Sequence, residues 1–130
     1  AVAALRRLAN VHVLGERPHA AIPAYLHSFA VCLIPFRLTR LTQAVNPVKF
    51  YEYMAAGRPV AATPLPELAP YRDVCALAGD APSFIAAIEA ALAAGDAPHM
   101  AQQRLAVARA NTWAQRIASI EDALRQALGG

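Results

Sequence analysis

Residues 46–68 read NPVKFYEYMAAGRPVAATPLPEL. Pro47 to Ala56 reads as a helix stopped by Gly57, and Pro59 to Thr63 as the strand that follows it. Asn46 suits the N-cap and Pro47 the first helical position. Upstream, Val31 to Phe36 is a continuous apolar run, as expected of a strand buried on both faces of a parallel sheet. The polar loop Arg37 to Val45 joins that run to the helix. Further back, Ile22 to Phe29 reads as a short helix, and Val11 to Leu14, closed by Gly15, as a strand. Downstream, Val74 to Leu77 is a weaker strand, and helices follow at Ser83 to Ala94, Pro98 to Ala110 and Trp113 to Leu128. Thr112 and Gln115 form a T-x-x-Q capping box for the last helix, whose stripe is Ile117, Ile120, Leu124 and Leu128. Trp113 is expected to anchor that helix by packing. Alternating strands and helices predict an α/β layered fold with a mostly parallel sheet. In such sheets ligands bind beyond the carboxyl ends of the strands, where the loop Arg37 to Asn46 lies.

Composition narrows the function. The chain has 130 residues, 57% hydrophobic and 16% charged, which fits one folded domain and excludes a disordered one. Its longest apolar stretch, Phe29 to Phe36, is interrupted by Pro35 and falls short of the about 20 residues of a membrane span. No basic-then-apolar leader opens it, and Cys32 and Cys75 lack metal or redox spacing; both features predict a cytoplasmic protein with reduced, buried thiols. Residues 1–58 carry six Arg and one Lys against Glu16 and Glu52, a balance of +5, and residues 59–130 five Arg against seven acids, a balance of −2. The first part thus suits an anion such as a phosphate. The arginines are scattered rather than gathered with aromatics into a stripe, so a nucleic-acid partner is not expected. No Ser-His-Asp set, Walker-type loop or G-x-G-x-x-G is present, which leaves protease, NTPase and dinucleotide oxidoreductase chemistry without residues.

The candidate site is Lys49 with Glu52. Three residues apart, they share a helix face. As a surface ion pair they would contribute only about a few tenths of a kcal/mol. A cation in the first turn opposes the helix dipole, and Lys before Glu is the poorer orientation. Lys49 is moreover the only lysine beside eleven arginines. A phosphate held by the helix N-terminus and Lys49 accounts for both features. Glu52, one turn deeper, would then accept hydrogen bonds from sugar hydroxyls.

The run NPVKFYEYMAAGRPVAATPLPEL resembles the C-terminal domain of GT-B glycosyltransferases of the group 1, or family 4, type. NVHVLGERPHAAIPAYLHSFAVCLIPF (10–36) is similar to the family's strand, G-x-R-P turn, short helix and second strand, and NTWAQRIASIEDAL (111–124) to its closing T-W-x-x-R helix. The resemblance spans residues 5–128. It implies a Rossmann-like three-layer parallel sheet, the C-terminal half of a GT-B fold, with residues 1–130 a single partial domain closed by a helix at 111–128. Two initial β-α units of the family domain are not represented, and in the Rossmann order they would separate Val11–Leu14 from Val31–Pro35. The implied activity is donor binding in a hexosyltransferase of glycan or polysaccharide biosynthesis. Its donor is a nucleoside diphosphate sugar, and transfer retains configuration without a dedicated metal or cofactor. The backbone at Asn46, Pro47 and Val48 and the side chain of Lys49 would hold the diphosphate, Glu52 the ribose, and Arg17 would lie near the base. The family's E-x7-E pair would put its first glutamate at position 44, which is Ala44; the sequence matches instead the subset with N-P-x-K. An acceptor glycan, lipid or small molecule would be bound through an N-terminal domain outside this chain, leaving room for peripheral membrane association of the full-length enzyme. The chain alone is not expected to turn over. The alternative is a non-catalytic nucleotide-binding or interaction module derived from the same fold.

Lesser candidates are His19 in the G-x-R-P-x turn, Arg37 and Arg40 in the loop, and Glu67 after the strand end. For each, a solvated side chain is an equally good reading. His12, His27 and His99 have no partner at metal spacing.

Overall fold

The computed structural model describes residues 2–95 and 97–129. Three short parallel strands, β1 (Cys32–Ile34), β2 (Val60–Ala62) and β3 (Ala76–Leu77), form a sheet in the order β1-β2-β3. Cys32 stands opposite Val60, Ile34 opposite Ala62, and Ala62 opposite Leu77. Two short helices, α1 (Val2–Leu5) and α2 (Ile22–Ser28), precede β1. Parallel neighbours need a crossover. Between β1 and β2 it is α3 (Val48–Ala55); between β2 and β3 it is a 3-10 segment, Pro66–Tyr71. After β3 come α4 (Ala81–Ala94), α5 (Pro98–Ala110) and α6 (Trp113–Leu128). The fold class is thus α/β with a parallel sheet.

All three residues of β2 are buried, so both faces of the sheet are covered there. Phe50 and Met54, one turn apart on α3, have no exposed surface and meet Leu65 and Leu68 in the core. Each such side chain contributes about 1.5–3 kcal/mol on burial. Seating this face of α3 inward leaves Lys49 and Glu52 facing out. The helix ends as Gly57 foretells: its φ of 69° lets Gly57 N–H reach Met54 O at 2.9 Å and Arg58 N–H reach Tyr53 O at 3.1 Å. Buried Arg104 on α5 then donates to Gly57 O at 3.2 Å, binding α5 to the end of α3.

Several expectations change. Val11–Leu14 forms no strand; it is extended chain outside the sheet, because no neighbouring strand offers it backbone partners. The run Val31–Phe36 yields only Cys32–Ile34 as strand, and one face of it stays open, with Leu33 41% exposed. The N-cap of α3 is Pro47, not Asn46, since Pro47 has extended φ and ψ and the first helical residue is Val48. The fourth helix begins at Ala81 rather than Ser83, because the Asp80 carboxylate accepts from Ser83 N–H at 2.8 Å and caps it. Trp113 is no packing anchor: it is 75% exposed, as is much of the stripe Ile117, Ile120, Leu124 and Leu128. Thr112 does cap α6, accepting from Gln115 N–H at 3.3 Å.

Candidate functional site

At the start of α3 the first-turn N–H groups have no intrahelical carbonyl to bind, and no acidic residue occupies that turn. Phe50 N–H turns back to Pro47 O at 2.9 Å. Lys49 stands beside this end and donates to Glu52 Oε2 at 2.8 Å. That hydrogen bond holds the Lys49 ammonium above its usual 10.5, against a partial burial that pulls it down. In the absence of ligand the two residues therefore form the pair that their spacing allows. Buried Asn46 Oδ1 has no hydrogen-bond partner among the described residues.

Two recesses flank this pair. One, of about 480 Å³, runs beside β1 and is lined by Leu33, Phe36, Asn46, Val48, Lys49 and Tyr53 among others. The other, of about 180 Å³, lies between α2 and α3, with an apolar floor that includes Ile22, Pro23 and Leu26 and a rim bearing His19 and Glu52. Lys49 faces the first and Glu52 the second, so the pair bridges them. An elongated anion laid across α3 would meet an apolar slot, a carboxylate, an ammonium with free amides, and a larger recess, in that order.

The sequence candidates divide accordingly. Asn46, Pro47, Val48 and Lys49 line the first recess together, and Glu52 and His19 meet at the second. Arg17 lines neither; its guanidinium donates to Tyr25 Oη at 3.0 Å and to Glu16 O at 3.2 Å, which fixes the G-x-R-P turn against α2. Ala44 is exposed in a 3-10 turn, Thr42–Ala44, of the loop before the site. That loop is tied by Thr42 Oγ1, which donates to Arg37 O at 2.6 Å and accepts from Thr39 N–H at 2.8 Å. Arg37, Arg40 and Glu67 are exposed and line neither recess. Tyr53 was not foreseen. It stands four residues after Lys49, hence on the same helix face, and its burial raises the phenol above its ordinary value.

Both thiols are free and buried; burial pushes Cys32 up to about 11 and Cys75 up to about 12. Among the described residues no cluster of three or more His, Cys, Asp or Glu is placed to hold a metal ion. Nor, among them, is any helix long and apolar enough to cross a membrane.

Comparison with known proteins gives two matches. The family model described as glycosyl transferases group 1 matches residues 1–94, more than half of the chain. A Bacillus subtilis (strain 168) protein, named as a teichuronic acid biosynthesis glycosyltransferase, TuaH, is 32% identical over 113 residues. The match covers 84% of this chain and 28% of that protein, so the chain spans little more than a quarter of its relative's length. No solved structure matches the chain significantly.

Proposed function

This chain belongs to the glycosyl transferases of group 1, and on that premise we propose that it is the donor-binding part of a hexosyltransferase, residues 1–130 forming one partial domain of a longer enzyme. The donor is a nucleoside diphosphate sugar and the product a glycan or polysaccharide. The relative's name, which refers to teichuronic acid biosynthesis, supports an acidic cell-envelope polymer as the type of product. The observation that carries the reading is the position of the Lys49–Glu52 pair, at a helix N-terminus and between two recesses.

In this reading the diphosphate lies on the amides at Asn46–Lys49 and displaces Glu52 from Lys49. The ammonium and the positive helix end then stabilise charge growing on the leaving diphosphate, a preorganised electrostatic contribution. Glu52, released, accepts the ribose hydroxyls. The base enters the recess between α2 and α3, where His19 reaches it, and Arg17 holds the turn that carries His19. The sugar occupies the recess beside β1. Transfer proceeds with retention and calls on no metal. The acceptor binds through a domain outside this chain, and activity is a property of the whole enzyme, which works in the cytoplasm.

Titration calorimetry with UDP, GDP, ADP and dTDP tests this. The expected result is saturable binding of one nucleotide, lost in Lys49→Ala and weakened for the nucleoside part in Glu52→Gln. Equal binding by wild type and both variants would sink the assignment. Binding of a nucleotide without any transfer by the full-length enzyme would favour a non-catalytic module, the reading to which Ala44 points.

A further inference from the structure

The T-W-x-x-R stretch, Thr112 to Arg116, has no part in the site above, yet its arginine is the one residue of α6 that is not exposed. Arg116 is half-buried, and every other residue from Trp113 to Leu128 is open to solvent. Its guanidinium carbon lies 4.9 Å from the centroid of the Tyr51 ring. Tyr51 belongs to α3, between Lys49 and Glu52 in the chain, and packs edge-on against Phe50 at 5.2 Å and Tyr71 at 6.3 Å. Tyr71 donates in turn to Asn111 Oδ1 at 3.3 Å, just before α6 begins, and Asn111 Nδ2 closes back on Val107 O at 2.9 Å. These contacts all fall at the first turn of α6. Beyond them the helix runs on for three more turns without burial.

We propose that Arg116 is a latch: stacked on Tyr51, it docks α6 onto the domain as an arm that can release and re-dock while the rest stays folded. The physical basis is the disparity in holding forces. The core around α3 and β2 rests on many buried side chains, whereas α6 rests on one cation–π contact and the turn at Asn111. An arm so held keeps its apolar stripe of Ile117, Ile120 and Leu124 clear of the domain, and its direction is set at Arg116. The inference does not depend on what binds at Lys49.

The only tryptophan, Trp113, lies three residues before Arg116 and reports on α6 without a label. In the whole chain, time-resolved anisotropy of Trp113 should follow the tumbling of the domain. Arg116→Ala should add a faster component and speed amide exchange across α6 about two- to fivefold, the range that an exposed cation–π contact spans. Exchange in β2 should not change. Arg116→Lys, which keeps the cation, and Tyr51→Phe, which keeps the ring, should behave as wild type; Tyr51→Leu should behave as Arg116→Ala. Unchanged anisotropy and exchange in Arg116→Ala overturns the proposal. So does faster exchange in β2 to the same degree as in α6, because Arg116 would then hold the whole fold and not an arm. Failure of Arg116→Lys to restore the wild-type signals overturns the cation–π basis.

Discussion

Lys49 Nζ lies 2.8 Å from Glu52 Oε2, with the lysine side chain 59% exposed and the glutamate 28%. Solvent screens such a pair, and its order along the helix opposes the dipole, so it contributes little to the fold. Lys49→Ala should therefore change the unfolding free energy by less than about 1 kcal/mol, while lowering diphosphate affinity more than about tenfold, as loss of a charge-assisted contact does. Urea unfolding and calorimetry on the same preparation separate the two effects. A variant that loses stability but keeps its affinity would make Lys49 a structural residue.

Gly57 carries a different weight. Its φ of 69° is open to glycine and strained for any other residue, although a Cβ there would meet Ala101 Cβ at an ordinary 3.5 Å. The cost of Gly57→Ala is thus conformational rather than steric, about 1–2 kcal/mol. Denaturant unfolding should show the midpoint falling with an unchanged slope. No loss of stability would mean that the helix end re-forms in another conformation.

The guanidinium of Arg104 is buried, and it donates to Gly57 O at 3.2 Å and to Val74 O at 3.5 Å. It thus holds together the end of α3 and the segment leading into β3. Arg104→Met keeps the aliphatic stem but strands both carbonyls, and leaving buried acceptors unsatisfied costs about 1–3 kcal/mol each. The expected outcome is a loss of several degrees in Tm, larger than for any substitution among the exposed residues of α6. A Tm equal to wild type would show that these carbonyls find other donors.

What the sequence disclosed and what it hid follow from the range of the forces. Gly57 was legible because a positive φ is a property of one residue, and Thr112 because its cap reaches only three residues on. Lys49 and Glu52 were legible through charge and spacing on one helix. Val11–Leu14 misled because a strand exists only with a partner, and a short apolar run reads the same with or without one. Trp113 misled because amphipathic spacing identifies an apolar face but not what covers it. At the site, Tyr53 and the floor of Ile22, Pro23 and Leu26 depend on how α2 packs against α3, which no local pattern encodes.

The two thiols offer a test of the core in alkaline solution. Burial raises Cys32 from 9.0 to about 11 and Cys75 from 9.0 to about 12, each lowered only in part by Arg58 and Arg104 respectively. The fold thus favours the protonated thiols, and the unfolded chain ionises first. The contribution is complete below pH 9 and is lost as pH climbs through the interval up to 11 for Cys32 and 12 for Cys75. Unfolding free energy should then fall with rising pH in that window. A Cys32→Ala, Cys75→Ala variant should show a flatter slope there, whatever its absolute stability. At pH 8 a thiol reagent should label the native protein slowly and the denatured chain at once, since reactivity requires the thiolate and access. Rapid labelling of the native protein, or equal slopes for the variant and wild type, would place these cysteines outside a dry core.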